Sequence, residues 1–154
     1  MSDHTPAGGH PSCDIEALNS LLRGEISAVE TYDEALAKFT AEAIATDLQR
    51  IRDEHQRAVV ALRDRVAAFG GTPAHGSGGW GGFASAVTEA AKLLGPATTL
   101  SALKQGEEHG INRYETALGN DGVDADCKTL IRSDLLPKCR THVTELDRLL
   151  GSSN

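Results

Sequence analysis

Apolar residues return in steps of three and four along four stretches of the chain. The first stretch reads Leu18, Leu22, Glu25, Val29, Tyr32, Leu36, Phe39, and the second reads Leu48, Ile51, His55, Val59, Leu62, Val66, Phe69. A third reads Leu100, Leu103, Glu107, Ile111, Tyr114, Leu118, and a fourth Ile131, Leu135, Cys139, His142, Leu146, Leu149. This spacing marks the inward stripe of a helix packed in a bundle. It predicts helices from Asp14 to about Phe39, from a Thr40 cap to Ala68, from about Thr98 to Leu118, and from about Asp124 to Leu150. Gly70 and Gly71 end the second helix. The run Gly119-Asn120-Asp121-Gly122 reads as a turn, and Pro137 as a kink in the fourth helix.

The stripes match one another in pairs. Leu18, Leu21, Gly24, Glu25, Tyr32 and Leu36 recur 82 residues later as Leu100, Leu103, Gly106, Glu107, Tyr114 and Leu118. Asp47, Leu48, His55 and Leu62 recur 87 residues later as Asp134, Leu135, His142 and Leu149. Two copies of one helical hairpin, an internal duplication, account for this pattern. Between the hairpins lies a crossover, residues 70–97, rich in glycine and serine. It holds the lone Trp80 and an amphipathic run, Phe83 to Leu94, that predicts a short helix. Such a length suits a connection that runs from one end of a bundle to the other. Trp80 is expected to plug the side of the bundle or a partner surface. The reading is therefore all-α: one bundle domain over residues 14–150, a mobile tail over 1–13, and a fraying C-terminus over 151–154.

Each stripe carries one ionisable side chain where an apolar one would be expected. A buried carboxylate needs a partner: a proton, hydrogen-bond donors or a metal. Glu25 and His55 each stand 15 residues from Thr40, so a reversal there brings them level. Glu107 and His142 are related in the same way about the second turn. Two glutamates and two histidines suit a divalent transition metal. The same four residues also suit two metal-free hydrogen-bonded pairs, Glu25 with His55 and Glu107 with His142. Tyr32 and Tyr114 would support either arrangement with hydroxyl hydrogen bonds. Cys139 lies one turn before His142 on the same face, which makes it either a chelating thiol or a small core residue. Glu54 and Glu108 adjoin the stripe residues and are further candidates if they swing inward.

Composition narrows the function classes. The 154 residues suffice for one core, and with 40% hydrophobic but only 4% aromatic residues that core must be aliphatic. A net charge of −7 and a pI near 5.3 argue against nucleic acid or an anionic membrane as partner. No apolar run approaches membrane-spanning length, and the N-terminus does not read as a secretory signal, so a cytoplasmic location is expected. Cys13, Cys127 and Cys139 form an odd set without paired spacing, expected to be free thiols. A homo-oligomer such as a dimer is a further expectation. The glycine-rich crossover is not a phosphate loop, having no strand before it and no Lys-Ser/Thr after it.

The segment Gly24-Glu25-Ile26-Ser27-Ala28-Val29-Glu30-Thr31-Tyr32 resembles the first metal-bearing helix of rubrerythrin-type ferritin-like proteins. Residues 14–150 as a whole resemble a bacterial ferritin-like four-helix-bundle family of unknown function. The resemblance rests on Gly70-Gly71-Thr72-Pro73, Gly76-Ser77, Gly106-Glu107 and Tyr114-Glu115-Thr116-Ala117-Leu118. It implies a ferritin-like bundle with a centre that binds iron, manganese or zinc, and a role related to iron or oxidative stress. Ferritin-like di-iron sites take a Glu from each of two helices and a Glu-x-x-His from each of the other two. Here Glu25, Glu107, His55 and His142 match that set. Arg52 and Cys139 stand where its two remaining glutamates would be. The resemblance thus implies a mononuclear Glu/His site, or an asymmetric one completed by Cys139, Glu54 or Glu108.

Overall fold

A computed structural model describes residues 13–78, 89 and 94–152. The described residues form helices and no strand. Helix α1 spans Ile15–Leu36, α2 Glu42–Ala68, α3 Pro96–Leu118 and α4 Ala125–Leu130; a π-helical turn, Ile131–Leu135, then leads into α5, Leu136–Ser152. The last three pieces make one rod, the fourth of the bundle.

Local chemistry accounts for most of these boundaries. Asp14 caps α1 by accepting a hydrogen bond from the Ala17 amide (2.9 Å), and Asp124 caps α4 by accepting from Asp126 and Cys127 (3.0 and 3.1 Å). Pro96 opens α3 from within the first turn, where its missing N–H costs nothing, behind Gly95 at φ 85°. The expected Thr40 cap of α2 is not formed. The chain stays extended through Ala41, α2 begins one residue further on, and no side chain caps it. That end is exposed, so water satisfies its free amides. In the fourth rod the expected disturbance near Pro137 takes the form of the π-turn just before it. A π-turn takes up one residue more than an α-turn, which offsets the inward faces of α4 and α5.

α1 packs chiefly on α2, and α3 on the fourth rod. Two apolar layers fill the bundle. One gathers Leu18, Leu22, Leu62, Val66, Ala117 and Ile131 with their neighbours. The other gathers Ala35, Leu48, Ile51, Leu100, Leu103, Leu146 and Leu149. The first layer draws on the start of α1, the end of α2, the end of α3 and the start of the fourth rod. Hence α1 and the fourth rod run one way and α2 and α3 the other, and the crossover joins opposite ends of the bundle. On every helix the ionisable stripe residue falls between the two layers: Glu25 between Leu22 and Tyr32, His55 between Ile51 and Val59, Glu107 between Leu103 and Tyr114, His142 between Cys139 and Leu146.

The start of the crossover is fixed to α1. Asn19 donates to the Thr72 carbonyl (3.0 Å) and accepts from the Ala74 amide (2.9 Å). Gly71 sits so near Ile15 and Val66 that a Cβ there would lie 2.7 Å from Ile15 Cγ2. Asn19→Ala leaves two backbone groups without their partners. It is expected to cost about 1–3 kcal/mol, read as a fall in the urea midpoint at constant slope. The expected helix over Phe83 to Leu94 lies outside the described residues except for Glu89 and Leu94, which are both helical. Trp80 and the expected N-terminal tail, apart from Cys13, also lie outside them. No helix among the described residues is long and apolar enough to cross a membrane.

Candidate metal centre

Midway along the bundle the four stripe residues meet in one continuous chain of hydrogen bonds. His55 donates from Nδ1 to Glu25 Oε2 (2.5 Å) and from Nε2 to Glu107 Oε1 (2.7 Å). His142 Nδ1 lies 3.3 Å from Glu107 Oε2, and His142 Nε2 lies 2.7 Å from Glu54 Oε2. The hydroxyls cross between hairpins: Tyr32 donates to Glu107 Oε1 (2.6 Å), and Tyr114 donates to Glu25 Oε1. The imidazoles of His55 and His142 are 5.0 Å apart between centroids, and Tyr32 stacks on His55 at 5.5 Å. Glu25, His55, Glu107 and His142 are all buried. Glu25–His55 and Glu107–His142 are therefore not two separate pairs. Glu107 is the hub that joins them.

Glu54 is part of this chain. It neighbours His55 in sequence, yet its carboxylate turns across the gap between α2 and α5 to meet His142. Arg50, one turn earlier on α2, holds Glu54 from outside at 3.3 Å and also pairs with Glu145 of α5. The Glu54 side chain keeps 17% of its surface in solvent, so it is where the buried chain reaches water. Glu108 does not come to the centre. It is 52% exposed and lies 3.9 Å from Lys104, because adjacent residues on a helix point about 100° apart. Arg52 is also turned away: its Nε donates to Asp33 Oδ1 at 2.9 Å on the α1–α2 surface, so its guanidinium stays out of the centre. Cys139 is buried one turn before His142 on α5. The three cysteines are free.

Burial opposes charge on His55, but the Glu107 and Glu25 carboxylates outweigh it and hold the imidazole well above its usual pKa. Burial likewise opposes ionisation of Glu107, and the two histidines outweigh it, keeping this carboxyl well below the ordinary carboxylate range. Glu54 is lowered too, its partial burial overcome by His142 and Arg50. Burial raises Tyr32 and Tyr114 well above a normal phenol, reinforced by the carboxylates they touch.

The stabilisation from Glu107 is thus present above the unfolded carboxyl pKa near 4.5 and is lost as pH falls toward its depressed folded value. That from His55 is complete below about 6.5 and is lost as pH rises through its elevated folded value. Chelator-treated protein is expected to be most resistant to urea between those two values. Its midpoint should fall in acid, and Glu107→Gln should flatten the acid limb. An acid limb that the substitution leaves unchanged would assign the acid sensitivity to other groups.

Against the centre, between α1 and α3, lies a cavity of about 70 Å³. Its walls include Gly24, Ala28 and Gly110, and Glu25, Tyr114 and Cys139 also line it. Small residues at matched places on the two helices keep this space open.

These features place the chain among ferritin-like helical bundles. A family model described as a domain of unknown function (DUF2383) matches residues 14–120, and the chain belongs to that family. Among solved structures it is similar to a ferritin-like, di-iron-carboxylate protein from Bacillus anthracis str. Ames, with a TM-score of 0.70 and 23% identity. That similarity covers 88% of this chain and 94% of the other. Among curated proteins nothing matches.

Proposed function

We propose that this protein binds a transition metal at the centre, with Glu25, His55, Glu107 and His142 as ligands and Glu54 as a further carboxylate. The observation that carries this reading is the convergence of donors: one ligand atom each from His55, Glu107 and His142 lies within 4.8 Å of the others, all on buried side chains. The donor chemistry fits. Imidazole and carboxylate together suit iron, manganese or zinc, and three carboxyl groups facing two imidazoles favour a cation. Tyr32 and Tyr114 orient Glu107 and Glu25, as partners of metal ligands commonly do. The similarity to the ferritin-like, di-iron-carboxylate protein of Bacillus anthracis favours iron within that set. Iron would supply one-electron chemistry toward oxygen or peroxide, a role in iron handling or oxidative stress. The chain's own part is to hold the metal between two apolar layers and to connect it to water through Glu54.

The test is metal content of full-length protein purified without a histidine tag, before and after adding Fe(II) or Zn(II). Tight sites of this ligand class fill, so a stoichiometric content is expected. Less than about 0.2 metal per chain after addition, at micromolar protein, would sink the reading.

One observation favours a second reading, a non-enzymatic bundle whose polar centre only sets helix register. Both nitrogens of each histidine already have partners, and both tyrosine hydroxyls are satisfied. A network complete in itself can serve specificity alone. The metal titration separates the two readings.

A further inference from the structure

We propose that Arg50 is a positioning residue for the centre: it latches Glu54 across the α2–α5 seam and so sets how fast a divalent cation enters and leaves. The proposal rests on the metal-binding reading above and adds to it a route and the residue that controls it.

Burial and charge mark the route. Glu25, His55, Glu107 and His142 keep at most 6% of their surface in solvent, whereas the Glu54 side chain keeps 17%. The seam beside Glu54 is also a loose one: α2 and α5 pack more lightly on each other than α1 does on α2 or α3 on α5. The other approach, through the cavity between α1 and α3, is walled by Arg113, and Arg23 stands near enough to reinforce its positive field. That field repels a cation. Along the α2–α5 seam Asp47, Glu54 and Glu145 face Arg50 and Arg148, so carboxylates outnumber guanidinium groups there.

Glu54 divides its two oxygens between inside and outside. Oε2 meets His142 Nε2 at 2.7 Å, and Oε1 meets Arg50 Nη1 at 3.3 Å. The same guanidinium pairs through Nη2 with Glu145 of α5 and lies 3.9 Å from Asp47 of α2. Its planar fork therefore spans the seam and holds a carboxylate on each helix. While Arg50 keeps Oε1, Glu54 stays over His142. A turn of the Glu54 side chain uncovers the His142 imidazole, and the Arg50–Glu54 pair must part before that turn. The Arg50 side chain is 43% exposed, so water replaces the pair at small cost. Such a latch opens readily, yet each opening delays exchange.

Cobalt(II) exchange tests the proposal. Visible ligand-field bands report occupancy of the centre in full-length protein freed of metal and supplied with Co(II) alone. Uptake is timed after mixing. Release is timed after adding EDTA, at concentrations where the rate no longer depends on it. Arg50→Met and Glu145→Gln each break the latch at a different partner. Arg148 joins the same two helices through Asp47 at 2.8 Å, and Arg148→Met is the control. Both latch variants are expected to speed uptake and release together by about three- to tenfold, the scale of one or two half-exposed ion pairs, with affinity held within about twofold. The control is expected to exchange at the wild-type rate.

Faster release with unchanged uptake would make Arg50 a support for a ligand and overturn the latch. Rates unchanged in both latch variants, or raised equally in Arg148→Met, would overturn it too. In each of these cases the cobalt bands still form, so the metal reading stands. Their absence from the wild type would overturn both. The latch variants alter different helices, so if one fails to fold the other decides.

Discussion

Glu107→Leu is expected to destabilise the bundle by about 3–5 kcal/mol and to abolish stoichiometric metal binding. The magnitude is that of removing one partner from a buried charged network. Glu107 is the acceptor for Tyr32 and His55 and the nearest carboxylate to His142 Nδ1. Leucine would leave the Tyr32 hydroxyl buried without its acceptor and the His55 imidazolium with Glu25 alone. Urea unfolding at neutral pH and metal analysis of the same sample check both parts. A variant as stable as the wild type would show that the centre is replaceable by apolar packing and favour the register-setting reading.

Leu62→Ala is expected to cost about 2–5 kcal/mol while leaving metal stoichiometry unchanged in the folded protein. Leu62 is fully buried in the apolar layer below the centre, among Leu18, Leu22 and Val66. Alanine there leaves a cavity that rigid helices on several sides fill poorly. Because the side chain touches the layer rather than the polar chain, stability and metal content should separate. Denaturant midpoint and metal per chain, measured together, test that separation. Joint loss would mean that the lower layer also fixes the positions of the ligands.

The spacing of apolar residues was enough to place the four inward stripes and the residue that interrupts each. Helical rise alone brought Glu25 level with His55. What spacing could not convey was side-chain direction at the margins of a stripe. Glu54 and Glu108 both adjoin stripe residues, yet one turns in and the other out. The difference lies in what each helix faces: Glu54 meets His142 and Arg50 across the α2–α5 gap, whereas Glu108 has Lys104 and solvent. Arg52 stands at a ligand position of the resembled family, but Asp33 on α1 offers its guanidinium an exposed partner. The start of α2 lies one residue past the expected place, because Thr40, a good capping residue, sits in a segment that stays extended through Ala41. Pro137 marked a disturbance without revealing its form, since a proline accommodates a kink, a break or a wide turn equally well.

The crossed tyrosines bear on how the molecule assembles. Tyr32 sits on the first hairpin and satisfies a glutamate of the second, and Tyr114 does the converse. A lone hairpin would expose half a core and hold an acid whose tyrosine donor resides on the missing half. Each half is thus an incomplete protein whose missing part is the other. In effect the chain is a heterodimer joined by a tether, and the tether keeps the two halves at a fixed effective concentration. Separated hairpins should be poorly folded alone and recover the closed centre only when mixed.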